Sequence, residues 1–274
     1  MWIRAFRGGR SASGPAVLLL AVVVASLLWL RPARAEVEVD VALVLGVDIS
    51  FSMDMDELEL QREGFVKAMR SPEVHAAIDR GLIGKIAVTY FEWASYTDRY
   101  LLVPWTLIDG PEAAERFADE LAAHPIRRAR RTSVSGAIDF AVGLLDQSDV
   151  VPLREVIDIA GDGPNNDGRP VEQARDAALA RGATINGLPL MLKAPSAFDI
   201  PNLDEYYEDC VIGGPGAFMI PVRERNQLVE AIRTKIVLEI AGLRPEKSLV
   251  QRASDRRRVD CLVGERIWNE RMRN

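Results

Sequence analysis

The stretch Val41-Ala-Leu-Val-Leu-Gly-Val-Asp48-Ile-Ser50-Phe-Ser52 constrains the fold more than any other part of the chain. Its apolar run, too short for a typical helix, ends abruptly in Asp-x-Ser-x-Ser. Such a run reads as a strand buried on both faces, the habit of parallel sheets covered by helices above and below. In those sheets ligands sit beyond the carboxyl ends of the strands, so Asp48, Ser50 and Ser52 are expected at the mouth of the fold. One carboxylate and two hydroxyls form an oxygen-only set that suits a hard cation such as Mg2+. The plainer alternative is that Ser52 or Asp54 caps the next helix.

The remaining chain alternates strands and helices. Asp54 and Glu57 have capping-box spacing, and Leu58, Phe65, Val66 and Met69 recur at helical intervals up to a break at Pro72. Lys85–Trp93 and Arg99–Trp105 are strand-like, and the five-residue connector 94–98 is too short for a crossover helix, so they pair as an antiparallel hairpin. Helices are expected from Pro111 to Ala123, from Thr132 to Leu145, from Pro170 to Arg181 and from Arg223 to Ala241, with strands at Val156–Ala160, Thr184–Leu190 and, briefly, Ala217–Ile220. This order predicts an α/β fold: a doubly wound, mostly parallel, Rossmann-like sheet with one antiparallel edge hairpin and helices on both faces. The domain runs over 36–242, and the arginine-rich stretch 243–274 reads as an appended tail.

Two further loops fall at the same rim. Thr132 opens a helix there if the crossovers take their usual hand, and Asp162 ends a second buried strand within Gly161-Asp162-Gly163. Each has a mundane explanation, Thr132 as a helix cap and Asp162 as a turn residue. Their joint occurrence with Asp48, Ser50 and Ser52, in this order, is hard to obtain by accident.

From about Val39 to Ala241 the chain resembles the von Willebrand factor type A domain family. Asp48-Ile-Ser50-Phe-Ser52 is similar to that family's Asp-x-Ser-x-Ser, Thr132-Ser-Val-Ser-Gly-Ala-Ile to its threonine at a helix start, and Gly161-Asp162-Gly163 to its Thr-Asp-Gly. The details also resemble a bacterial exported subfamily of unknown function. The resemblance implies a metal-ion-dependent adhesion site in which Ser50, Ser52 and Thr132 coordinate Mg2+ or Mn2+ (Ca2+ suits it less), with Asp48 and Asp162 acting largely through waters. Neutral hydroxyls leave the ion under-neutralised, so an open position attracts a carboxylate from a protein partner. Gly161 departs from the family, which often has Thr there. Asp158, four residues before Asp162 and nominally on the same face, is expected either to support the site by hydrogen bonds or to sit in water at the sheet rim. Asn165-Asn166-Asp167-Gly168 resembles part of a calcium loop but lacks EF-hand spacing.

The first 35 residues bear on location. Arg4, Arg7 and Arg10 precede an apolar run from Ala16 to Leu30 broken only by Ser26, and Ala33-Arg34-Ala35 fits a cleavage site. This reads as a secretory signal peptide cleaved before Glu36, giving a periplasmic or secreted protein. An uncleaved membrane anchor is the alternative, although the run would span only about 22 Å as a helix. Without the leader's five arginines, 29 basic residues face 40 acidic ones, a net charge of −11, which argues against a nucleic-acid partner. Export permits a disulfide between Cys210 and Cys261, worth on the order of 4 kcal/mol in the loop-entropy model; two free thiols are the alternative.

Catalysis finds little support. His75 and His124 are far apart, no Gly-x-Ser-x-Gly elbow is present, and no general base near neutral pKa is evident. A metal-assisted hydrolase on Asp48 and Asp162 and a scaffold with a vacant site stand as alternatives to a binding module. The basic run Arg127–Arg131 beside Thr132 is either a solvated loop or a rim that steers an acidic partner.

Overall fold

The computed structural model describes residues 37–245 and 258–273. The leader and its cleavage site before Glu36 lie outside the described residues. β1 (Val37–Val39) and β2 (Val41–Asp48) are separated by Asp40, whose carboxylate accepts the backbone N–H groups of Ile83, Gly84 and Lys85. That turn hands the chain from a small parallel sheet, β1 with β5 (Val150–Pro152), to the main one. Neither a separate β1 nor β5 is expected from the sequence.

The main sheet has the order β4 (Arg99–Ile108), β3 (Ile86–Trp93), β2, β6 (Glu155–Gly161), β7 (Thr184–Pro189). The β2–β3, β2–β6 and β6–β7 pairs are parallel and β3–β4 is antiparallel, as the hairpin reading requires. Every residue of β2 is buried. Its alternation divides the core: Val41, Leu43, Leu45 and Val47 face one hydrophobic cluster, and Ala42 and Val44 the other. The first cluster is closed by α1 (Met55–Met69), α2 (Pro72–Asp79), α3 (Pro111–Ala123) and α7 (Leu228–Ala241). The second is closed by α4 (Val134–Asp146), α5 (Val171–Ala180) and α6 (Leu203–Tyr206) with the π-helical turn Tyr207–Val211. Burying a leucine from water contributes about 1.5–3 kcal/mol, and Leu43 and Leu45 are both fully buried. At Gly46 the Phe91 ring comes so close that a Cβ would stand 2.6 Å from it, so only glycine fits.

The chain leaves β2 for β3 on one side and later returns to β6 on the other. The crevice of such a sheet opens where the direction of strand addition reverses, at the carboxyl ends of the central strands. Here that places the end of β2, Asp48, beside the end of β6, Gly161-Asp162.

The brief strand expected at Ala217–Ile220 forms only an isolated bridge, Gly187 with Met219, and a second, Leu190 with Val222, lies just beyond it. The larger difference is at the C-terminal side. Cys210 in the π-helical turn is bonded to Cys261, the two Cα atoms 5.5 Å apart, as the disulfide reading expects. α8 (Val263–Arg273) follows. Gly264 rests on the Asn165 backbone, where a Cβ would meet the carbonyl oxygen at 2.1 Å, and Glu265 accepts from Asn165 Nδ2 at 2.7 Å. The stretch read as a tail therefore carries a helix against the loop that follows Asp162.

Candidate metal centre

The two serines after β2 are free of capping duty. Asp54 is the N-cap of α1, accepting from Glu57 N–H while Glu57 accepts from Asp54 N–H. Ser52 instead donates to Asp162 Oδ1 at 2.6 Å and lies 2.7 Å from Ser50 Oγ, which stands 3.4 Å from the same carboxylate oxygen. Thr132 is released in the same way. Ser133 caps α4 through Gly136 N–H, and Thr132 is held by its backbone, its N–H donating to Asn166 Oδ1 at 3.0 Å and its carbonyl accepting from Asn166 N–H at 2.8 Å. The capping explanations offered for Ser52 and Thr132 thus fall to their neighbours.

Asp48 lies fully buried beneath this rim. Its Oδ1 accepts the Ser50 N–H at 2.6 Å, and its Oδ2 is buried without a hydrogen-bond partner. Burial first, then the neighbouring Asp162 carboxylate, raises the Asp48 pKa well above the ordinary carboxylate range. Burial, opposed by the Ser52 hydrogen bond and assisted by Asp199, pushes Asp162 up to about 6. One buried and one half-buried acid with raised pKa values beside uncharged hydroxyls favour a bound cation.

The donor set fits a small hard ion. Mg2+ takes six oxygens at about 2.1 Å, so adjacent ligand oxygens lie about 3 Å apart. Ser50 Oγ, Ser52 Oγ and Asp162 Oδ1 make a triangle of that size, with edges of 2.7, 2.6 and 3.4 Å, and Thr132 lines the same cavity. Among the described residues no group of three or more His, Cys, Asp or Glu side chains is arranged to hold a metal. A cation here would rest on hydroxyls and two carboxylates.

Several residues that shape the site escaped the sequence reading. Lys193 donates to the Ser52 carbonyl at 2.7 Å and pairs with buried Glu57 at 2.5 Å, pinning the serine loop. Arg131, with φ of 75°, pairs with Asp167 at 3.0 Å, and its guanidinium lies 3.9 Å from the Trp268 ring centroid. Such a backbone costs a residue with a Cβ about 1–3 kcal/mol, and here it immediately precedes Thr132. Tyr207 fills the space under Gly161: a Cβ there would lie 2.9 Å from its hydroxyl and 3.1 Å from Asp48 Oδ2. That crowding explains glycine where the resembled family often has Thr.

Other expectations resolve differently. Asp158 is buried, but its carboxylate meets Lys235 Nζ at 2.6 Å, in a cluster completed by Glu239. It neither sits in water nor touches the site, because its side chain faces α7. The side chains of Asn165, Asn166 and Asp167 are spent on Ser135, Thr132 and Tyr96 N–H groups, so they tie three loops together instead of forming a calcium loop. The basic run is largely engaged: Arg127 stacks on Tyr100, Arg128 on Phe51 and Arg131 on Trp268.

Comparison with known proteins matches residues 38–244 to the family described as "Protein of unknown function (DUF1194)". The chain belongs to this DUF1194 family. No curated protein sequence matches it. In fold this DUF1194 chain is a von Willebrand factor type A domain. It is similar to a von Willebrand factor type A structure from Catenulispora acidiphila (13% identity, TM-score 0.53, covering 74% of this chain and 43% of that one). It is also similar to the corresponding domain of the type V pili tip protein Mfa5 from Porphyromonas gingivalis (11%, 0.52, 76% and 97%). A third is proximal thread matrix protein 1 of the mussel byssus (11%, 0.54, 75% and 48%), of which another structure has zinc in its metal-ion-dependent adhesion motif. The DUF1194 chain spans about half the length of that mussel protein. Among its described residues no helix is long and apolar enough to cross a membrane.

Proposed function

We propose that this DUF1194 protein is an exported, adhesion-type module that holds a divalent cation, Mg2+ or Mn2+, on Ser50, Ser52, Thr132, Asp48 and Asp162 and uses it to capture an acidic group of a protein partner. The observation that carries the reading is the oxygen triangle of Ser50, Ser52 and Asp162 beside the buried, unpartnered Asp48 Oδ2. The bound ion would supply positive charge with a coordination position open to a carboxylate. Binding is favoured over hydrolysis because the described cavity lining includes no histidine or cysteine, and its hydroxyls and the acid raised toward neutral, Asp162, are taken up as the ion's donors in this reading. The fold shared with a pilus tip protein and a thread matrix protein agrees with an adhesive role. A location outside the cytoplasm agrees with the Cys210–Cys261 bond.

Thermal unfolding in chelator and in excess Mg2+ tests the ion. Metal at a hundredfold over its dissociation constant adds about 2.7 kcal/mol, a rise of about 5–10 °C in Tm for a domain of this size. Wild type is expected to show the rise and Asp48→Ala to lack it. Equal melting with and without metal in wild type refutes the reading.

A further inference from the structure

The cation site opens into one cavity of about 590 Å³, within the range that encloses small-molecule-sized groups. Its lining is of two kinds. Ser50, Ser52, Thr132 and Asp162 present oxygens, and Leu190, Phe198, Ile200, Leu203 and Trp268 form an apolar end. Phe198 and Phe51, which also borders the cavity, remain 41% and 51% exposed, although large apolar side chains around a cleft are normally covered by a ligand or partner. Phe198 and Trp268 pack ring to ring at 5.5 Å, so the 190–203 segment and α8 together make this wall.

We propose that the apolar end is a subsite for a large hydrophobic side chain adjoining the captured carboxylate, so that the recognised feature is an acidic residue next to an aromatic or long aliphatic residue in an exposed peptide segment of the partner. The proposal rests on the metal-capture reading given above. Continuity is the first argument: a ligand whose carboxylate reaches Ser50, Ser52 and Thr132 must pass its neighbouring group into the same cavity. Charge is the second. Arg130 lines the cavity and is exposed, and no carboxylate partner is found for it among the described residues. Lys193 is already taken by Glu57 and the Ser52 carbonyl. Of the two other acids in the lining, Glu57 is bound by Lys193 and Arg225, and Asp199 accepts from Ser196 N–H. Arg130 thus brings an unpaired cation to the rim, beside the Asp199 carboxylate that also lines it, and suits a ligand that is acidic at one end. The apolar lining offers aliphatic and aromatic surface, where a buried aromatic anchor is the usual source of affinity.

The test measures binding of short peptides to the full chain by calorimetry, in Mg2+ and in chelator. The probes share glycine flanks around Asp-Phe, Asp-Leu, Asp-Ser or Asn-Phe. Asp-Phe and Asp-Leu are expected to bind at least tenfold more tightly than Asp-Ser, with all three lost in chelator. The Asp-Phe to Asp-Ser ratio is expected to collapse toward one in Phe198→Ser, a substitution at a partly exposed position, and in Trp268→Ala. Equal affinity of Asp-Phe and Asp-Ser, both lost in chelator, overturns the apolar subsite and leaves metal capture standing. Equal affinity of Asp-Phe and Asn-Phe, unaffected by chelator, overturns metal capture instead. Absence of binding by every peptide at millimolar concentration overturns the proposal.

Discussion

Asp158 and Asp162 stand four residues apart along the end of β6, and each lies near a second acid, yet only one of the two groups carries its own cation. In the core, Lys235 reaches Asp158 at 2.6 Å and also pairs with Glu239, whose Oε1 accepts from Asn186 Nδ2 at 2.9 Å. At the rim, Asp48 and Asp162 face hydroxyls, and the nearest lysine, Lys193, is bound to Glu57. The core group is closed by the chain; the rim group is open toward solvent through a cavity. Buried acids without a cation resist ionisation. Burial and the nearby Asp158 push Glu239 up to about 7, and burial pushes Asp162 up to about 6. The difference teaches that a built-in lysine makes a brace, whereas hydroxyls in its place leave a position for something from outside.

Removing the built-in cation should have the largest effect. Lys235→Met leaves two buried carboxylates unpaired and is expected to cost about 3–5 kcal/mol, a fall of about 10 °C in Tm that excess Mg2+ does not restore. Wild-type stability in urea would break the comparison.

The pH dependence comes next. A carboxyl whose folded pKa lies above its unfolded value holds its proton in the native state after the unfolded chain has lost it. Stability is therefore greatest at low pH and falls as pH rises through the folded pKa. For Glu239 the loss runs from roughly pH 4.5 to above 7 and totals on the order of 3 kcal/mol. In chelator the protein should melt lower at pH 8 than at pH 5.5. Glu239→Gln should remove most of that slope between pH 6 and 8, because Lys235 then faces only Asp158. Mg2+ should remove the separate part from Asp162, which lies nearer pH 6. If neither change flattens the profile, the two groups do not differ as described.

The smallest effect should come from Gly161→Ala. The added Cβ crowds the Tyr207 hydroxyl and Asp48 Oδ2, at an expected cost of about 1–3 kcal/mol and a weaker Mg2+ response. In a Tyr207→Phe background the cost should drop by about 1 kcal/mol, read as the coupling in a double-mutant cycle. Additive effects would remove Tyr207 from the account of the site.

Much of this contrast was legible in the residues and some was not. The strand ending at Asp48 announced itself by its unbroken apolar run, and the hairpin by its short connector, because both follow from local burial and chain length. The rim residues were readable for a similar reason, since each closes or opens an element at the carboxyl-end face. Asp158 was misread because alternation along a strand gives the face of a side chain but not the helix it meets, and Lys235 lies 77 residues further on. Trp268 was overlooked because the many arginines around it made the stretch read as a tail, although Val263, Ile267 and Met272 stand at helical spacing. Only Gly264 among its residues is fully buried, and its attachment combines the disulfide, contacts with the 164–169 loop and the packing of Val263 and Ile267 on the second cluster.

That attachment also sets a schedule. Trp268 follows Asp162 by 106 residues, so at about 5–20 residues per second it is added to the chain about 5–20 s after the last oxygen of the rim. The bond between Cys210 and Cys261, which requires an oxidant, then ties α8 to the wall. A chain arrested before that point would present the rim without its apolar neighbour, and selective recognition would begin with the arrival of α8.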